Sequence, residues 1–301
     1  MSRLLSAGFF RVFKKKTFYI CSAIMAANAL LCVIDNVNQD SHFYLTLDDH
    51  FFEYVQIIPI LISVFCAMFI GTEYSNGTMR NKIAAGHKRS AIYLSNLIVS
   101  AASGLLMCAA YFVLYLAAGI PLLGLLQGDI GRIMALVGCS LAMLLAATGI
   151  FTLISLTVRS KSASAVISII VAFVMLFSGA ALYTLLKQPE YNLNYVYEDP
   201  SVEFDDSFHI IQFDIERNSP DDNETEVLPE IKSEYVPNPL YVSGVKRQIF
   251  QFIVDFTPGG QVILINSRDV ESPLLLVGYS LIIVIVTTAA GLIKFNRMNL
   301  N

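Results

Sequence analysis

The run Gly71-Thr72-Glu73-Tyr74-Ser75-Asn76-Gly77-Thr78-Met79-Arg80 sets a single carboxylate just ahead of the basic residues Arg80, Lys82, Lys88 and Arg89. One acid among several bases suits charge-assisted contact, with a partner or within the chain, better than bond cleavage. Catalytic patterns are missing elsewhere. Neither the phosphate-cradling GxxxxGK[ST] nor the zinc-binding HExxH occurs, and His42, His50, His87 and His209 are scattered. Two acidic clusters, Asp205-Asp206 and Asp221-Asp222-Asn223-Glu224, lack the spacing and the glycine of a calcium loop. They read as solvating charge, with attraction of a cationic amphipathic peptide as the functional alternative. No metal ligand set and no catalytic residue is expected.

The elements that must position these groups follow from composition. Hydrophobic residues make up 55% of the chain and charged residues 15%, against about 25% charged in soluble domains. Mean hydropathy is +0.61. Charge-free runs extend over Thr17–Ile34, Tyr54–Gly71, Ala91–Leu126, Ile133–Val158, Ser162–Leu186 and Leu274–Ile293. Each can cross a hydrocarbon core, which takes about 20 helical residues. The fold expected is an all-α polytopic membrane protein of six transmembrane helices, with a large extracytoplasmic α+β loop between helices five and six. Ala27-Asn28-Ala29 leaves a cleavable signal peptide as the alternative for the first run.

Charge sets the expected orientation. With the N-terminus in the cytoplasm, 13 of the 20 basic residues fall on short inner segments, and Glu73 is the only one of 24 acids there. Both termini are then cytoplasmic and residues 187–272 lie outside. The inner segments total 45 residues, too few for a catalytic domain. The spans hold no ionisable Asp, Glu, Lys, Arg or His, which ion-coupled carriers and pumps usually need at membrane depth. Energy for transport would then come from a separate cytoplasmic motor acting on the inner loops. Packed structural helices are the simpler reading, which Asn28, Gln56 and Asn96 alone do not remove.

Within the largest inner loop, Asn76-Gly77 predicts a turn, Thr78 an N-cap, Met79–Ala85 two helical turns and Gly86 a left-handed C-cap. Met79, Ile83 and Ala84 can share a face, with Arg80 and Lys82 elsewhere, and His87, Lys88 and Arg89 lead into span three. For the basic residues alone, a positive-inside anchor explains as much. Glu73 and the capped helix fit that explanation less well.

These features resemble the permease subunits of ATP-binding cassette exporters of the type V, ABCG-like fold. The resemblance rests on Glu73 after span two, Gly77-Thr78-Met79-Arg80, and His87-Lys88-Arg89-Ser90, with six spans and one large outer loop. It implies a coupling helix at 76–90 that seats in a groove of the ATPase. ATPase-coupling roles would then fall to Glu73, Asn76, Gly77, Thr78, Met79, Arg80, Lys82, Ile83, His87, Lys88 and Arg89, with Arg159 and Lys161 as a smaller second contact. It also implies a dimer of permeases, homo- or heteromeric, two copies of a cytoplasmic ATPase that carry ATP and magnesium, and no cofactor in this chain.

Four domains are expected. Residues 1–16 form an amphipathic interfacial helix in which Leu5, Phe9, Val12 and Phe13 recur at helical spacing, or simply a charged start to span one. Residues 17–186 hold spans one to five, with Gly119-Ile120-Pro121 a break in the long third. In the loop domain 187–272, net charge −11, Ile211, Phe213 and Ile215 alternate as in a strand. There too, Ser243 caps a helix with Val245, Ile249, Phe252, Ile253 and Phe256 on one face, stopped at Pro258-Gly259-Gly260. It occupies the place of the re-entrant helices of the resembled family. Residues 273–301 form span six and a cytoplasmic tail. All five cysteines lie in spans, which favours a bacterial plasma membrane. The expected function is export of a hydrophobic or amphipathic substrate, such as an antimicrobial or toxin peptide, a drug or a lipid. A sensor or assembly protein with a ligand-binding outer domain is the alternative, and a secondary carrier is disfavoured by the uncharged spans. Lipids are expected neighbours and nucleic acid is not.

Overall fold

A computed structural model describes residues 1–38, 46–197 and 231–298. Among the described residues six helices are long and apolar enough to cross a membrane: α2 (Lys16–Asn38), α3 (Tyr54–Ser75), α5 (Arg89–Leu123), α6 (Ile130–Val158), α7 (Lys161–Leu186) and α10 (Pro273–Arg297). Four shorter helices join them: α1 (Ser2–Lys14), α4 (Thr78–Ala84), α8 (Gly244–Phe256) and α9 (Pro258–Asn266). The chain is a multi-pass membrane protein.

Within this bundle α3 is the central helix, packed by α6 and α7, while α2 runs along α5 and α10 along α6. Alternation of direction brings the ends of α3, α6 and α10 to the level of the starts of α5 and α7. Contacts at that end fix the arrangement. The Tyr74 hydroxyl donates to the Leu156 carbonyl, and a Cβ at Gly71 would stand 2.8 Å from Lys161 Cα. At the opposite end Tyr111 and Tyr115 of α5 donate to the carbonyls of His50 and Leu47.

Three local expectations change. Helix α5 does not break at Gly119-Ile120-Pro121 but continues to Leu123 and stops at Gly124 with φ 85°. Pro121 sits in the last turn, where the lost amide bond and the ring clash disturb little beyond it. A Cβ at Gly119 would meet the tip of the Leu47 side chain, which would have to shift. The expected amphipathic segment 1–16 is helix only to Lys14, and its buried side is Leu4, Gly8 and Val12, with Phe13 exposed.

Pro258 begins a helix instead of ending one. Thr257 separates α8 from α9, and its hydroxyl accepts from the Gly260 amide, so Pro258 stands where its missing N–H is harmless. On the apolar face expected to rest on or dip into the outer membrane surface, Val245, Ile249 and Phe252 are exposed, and Val254 is the buried residue of α8. Gly259 and Gly260 are buried, and a Cβ on Gly259 would collide with the Met175 carbonyl of α7. Gln261, fully buried, donates to the carbonyls of Asp255 and Leu276 and accepts from the Ser280 hydroxyl. Since Ser280 lies seven residues into α10, the α8–α9 corner enters about 10 Å below that helix's start. The pair therefore packs alongside the first two turns of α10 and not beyond its end.

Residues 187–242 form a separate compact unit, so the expected loop domain 187–272 divides at Val242. Strands β1 (Tyr191–Tyr197) and β2 (Ile231–Pro237) pair antiparallel, Tyr191 opposite Pro237 and Tyr197 opposite Ile231. Asn238 closes this pair through Gln188 and Pro189. The expected strand at 211–215 and both acidic clusters lie outside the described residues.

Candidate functional site

Phe69 and Glu73 stand one turn apart on the last turns of α3, so their side chains leave the same face. Both meet Arg11 of α1. Its guanidinium lies 4.7 Å from the Phe69 ring centroid and forms an ion pair with the Glu73 carboxylate. Lys82 of α4 reaches the same oxygen, Nζ to Oε1 2.5 Å. Asn96 of α5 donates to Oε2 at 3.2 Å. Thr78 Oγ1 donates to the Glu73 carbonyl at 3.0 Å.

Glu73 is 1% exposed. A carboxylate removed from water needs compensating charge and hydrogen bonds, and Arg11, Lys82 and Asn96 supply both, while Thr78 serves the main-chain carbonyl. Burial pulls the Lys82 ammonium below the ordinary lysine range, and Glu73 acts in the opposite direction. One side chain thus ties together the ends or starts of α1, α3, α4 and α5.

Helix α4 is built to present its other side. Gly77 precedes it with φ 67°, a left-handed turn in which no Cβ strain arises, and Gly86 follows it with φ 82°. Gly77, not Thr78, is the residue before the first turn, because the Thr78 hydroxyl is turned back to Glu73. Met79 is fully buried and Ile83 packs against the core. Arg80, Asn81, Ala84 and Ala85 are exposed.

The expected coupling residues therefore fall into two groups. Asn76, Arg80, Lys88 and Arg159 are exposed, with Gly77, Thr78, His87 and Lys161 half-buried beside them. Glu73, Met79, Lys82 and Ile83 face inward. Arg89 belongs to neither surface, since it donates to the carbonyls of Phe295, Asn296 and Met298 and closes the end of α10. Arg159 takes a left-handed turn, φ 58°, between α6 and α7.

Sequence reasoning did not connect Arg11 and Asn96 to Glu73. Asn96, a polar residue deep in an apolar run, carried a usable signal. Arg11 carried one only in its spacing from Leu4 and Gly8 on the buried side of α1.

A family model described as an ABC-2 family transporter protein matches residues 36–198, just over half of the chain. The chain belongs to the ABC-2 transporter family. No curated protein gives a match. The matched stretch holds spans α3 to α7, the end of α2 and the whole of α4 with Glu73. Membership makes this chain an ABC transporter membrane subunit, of a kind that works with an ATPase subunit and usually has no ATPase site of its own. Among the described residues of this ABC-2 subunit no cluster of His, Cys, Asp and Glu is arranged to hold a metal.

Proposed function

We propose that this ABC-2 subunit is an export permease whose α4 is the coupling helix for a cytoplasmic ATPase. The observation that carries this is the two-sided character of α4. Arg80, Asn81, Ala84 and Ala85 are free for a partner, while Met79 and Lys82 join the core and the Glu73 cluster. A push on the outer side of α4 acts through Lys82 on Glu73, and from there on α1, α3 and α5 together. The carboxylate itself does not touch the ATPase. It keeps the moving parts in one body.

On this reading the Glu73 end is cytoplasmic, as the excess of Arg and Lys there supports. Residues 187–272 are outside, two permeases, identical or different, engage two ATPase copies that carry ATP and magnesium, and the membrane is a bacterial plasma membrane. The substrate class is hydrophobic or amphipathic: a peptide, drug or lipid. Uncharged spans support it, because a strongly charged cargo would lack partners at membrane depth.

The test is co-purification with the ATPase in mild detergent, followed by measurement of transport-stimulated ATP hydrolysis. Arg80→Glu is expected to abolish stimulation while the spans stay folded. Full stimulation in an Arg80→Glu, Lys88→Glu double variant would overturn the coupling role of α4. A chain that retains a ligand but never an ATPase would favour a sensor or assembly role.

A further inference from the structure

At the end of the bundle opposite Glu73, the turn before α3 packs against the turn between α5 and α6. Asp48 joins them: its Oδ2 accepts from the amides of Gln127 at 2.8 Å and Gly128 at 3.0 Å. The residue is 7% exposed, and its other oxygen, Oδ1, is buried with no hydrogen-bond partner. A buried carboxylate oxygen without a donor costs free energy unless something fills the place.

Beside it is a cavity of about 270 Å³, lined among others by Asp48, Phe51, Phe52, Arg132, Ile133 and Arg268. Arg132 and Arg268 both line it, and Arg132 donates to the Arg268 carbonyl at 2.9 Å. Arg268 is only loosely opposed by Asp49, at 4.0 Å. Asp129 adds a second carboxylate to the lining. Two acids and two bases leave the wall without net charge, which disfavours both a bare cation and a simple anion.

We infer that this cavity binds a primary-ammonium phosphodiester, with an ammonium N–H donated to Asp48 Oδ1 and the phosphate held by Arg132 and Arg268. The ethanolamine headgroup of a phospholipid is the source that the surroundings favour. Ile130 and Met134, on the α6 turns that carry Arg132 and Ile133, are 68% and 62% exposed, and Leu125 nearby is 72% exposed. An acyl chain could lie along them while the headgroup enters the cavity. A quaternary choline headgroup has the same charge but no N–H for Asp48.

Native mass spectrometry of the purified protein with added phosphatidylethanolamine, phosphatidylcholine or soluble glycerophosphoethanolamine tests this. Phosphatidylethanolamine is expected to bind about tenfold more tightly than phosphatidylcholine, as one charge-assisted hydrogen bond requires. In Asp48→Asn that preference falls below about twofold. The amide keeps an oxygen for Gln127 and Gly128 but offers N–H where an acceptor is needed. Because Asp48 also joins two turns, Arg268→Gln is the second variant, and it is expected to weaken both lipids. Equal binding of the two lipids by the unaltered protein would overturn the proposal. Displacement of bound lipid by an equal concentration of glycerophosphoethanolamine would support the chemistry and assign a soluble source.

Discussion

Lys82 Nζ lies 2.5 Å from Glu73 Oε1, and the same oxygen is paired with Arg11, so one carboxylate is shared by cations from two different helices. The acid that stood out in the sequence as a candidate surface contact is an internal junction, and the surface it serves is the far side of α4.

Glu73→Gln is expected to destabilise the protein by about 2–3 kcal/mol, less than the ~3–5 of a fully buried pair because Arg11 and Lys82 keep 26% and 17% exposure. Thermal unfolding in detergent measures it. Arg80→Gln, at an exposed position, is expected to leave the midpoint unchanged within about 0.5 kcal/mol. The two variants therefore separate internal cohesion from partner contact.

Lys82 offers a test by pH. Its folded-state proton affinity is below the ordinary value of 10.5, so between the lowered and the ordinary value the unfolded chain holds more protons. Stability from this group thus rises with pH across that window, where simple loss of a salt bridge would make it fall. Unfolding midpoints are expected to climb relative to Lys82→Gln as pH approaches 10.5 from below.

Gly259→Ala is expected to disrupt the α8–α9 pair, because its methyl would collide with the Met175 carbonyl and backbone cannot give way as a side chain can. Overpacking of this kind costs about 3 kcal/mol or more. Cysteine accessibility at Val245 and Leu264 is the readout. Leu264, now buried, should become reactive while Val245 stays as exposed as before.

Arg89→Ala removes donors from the carbonyls of Phe295, Asn296 and Met298. A charged donor to a carbonyl contributes about 1.5–3 kcal/mol. The expected outcome is fraying of the last turn of α10, seen as faster amide exchange at residues 294–298 with the rest of that helix unchanged.

The spans were legible because charge is expensive in hydrocarbon, and the charge-free runs mark α2, α3, α5, α6, α7 and α10 to within a few residues. Helix α4 was legible too, since Gly77 and Gly86 are placed where the backbone turns left-handed. What stayed hidden depends on distance along the chain. Arg11 reads as one more basic residue until α1 folds against α3 and α5. Pro121 reads as a break until its place in the last turn is known. Thr78 is a plausible N-cap by type, but its hydroxyl finds the nearer carbonyl of Glu73. Pro258 could end one helix or start the next, and the Thr257 hydroxyl decides.

The contact of Gly259 and Gly260 with α7 has no side chain between the two main chains, and Gln261 pins the same corner to α10. Peptide groups that meshed do not slide past one another as long aliphatic chains do. Any rearrangement of this end is therefore expected to carry α7, the α8–α9 corner and the start of α10 as one block, with no sliding inside it.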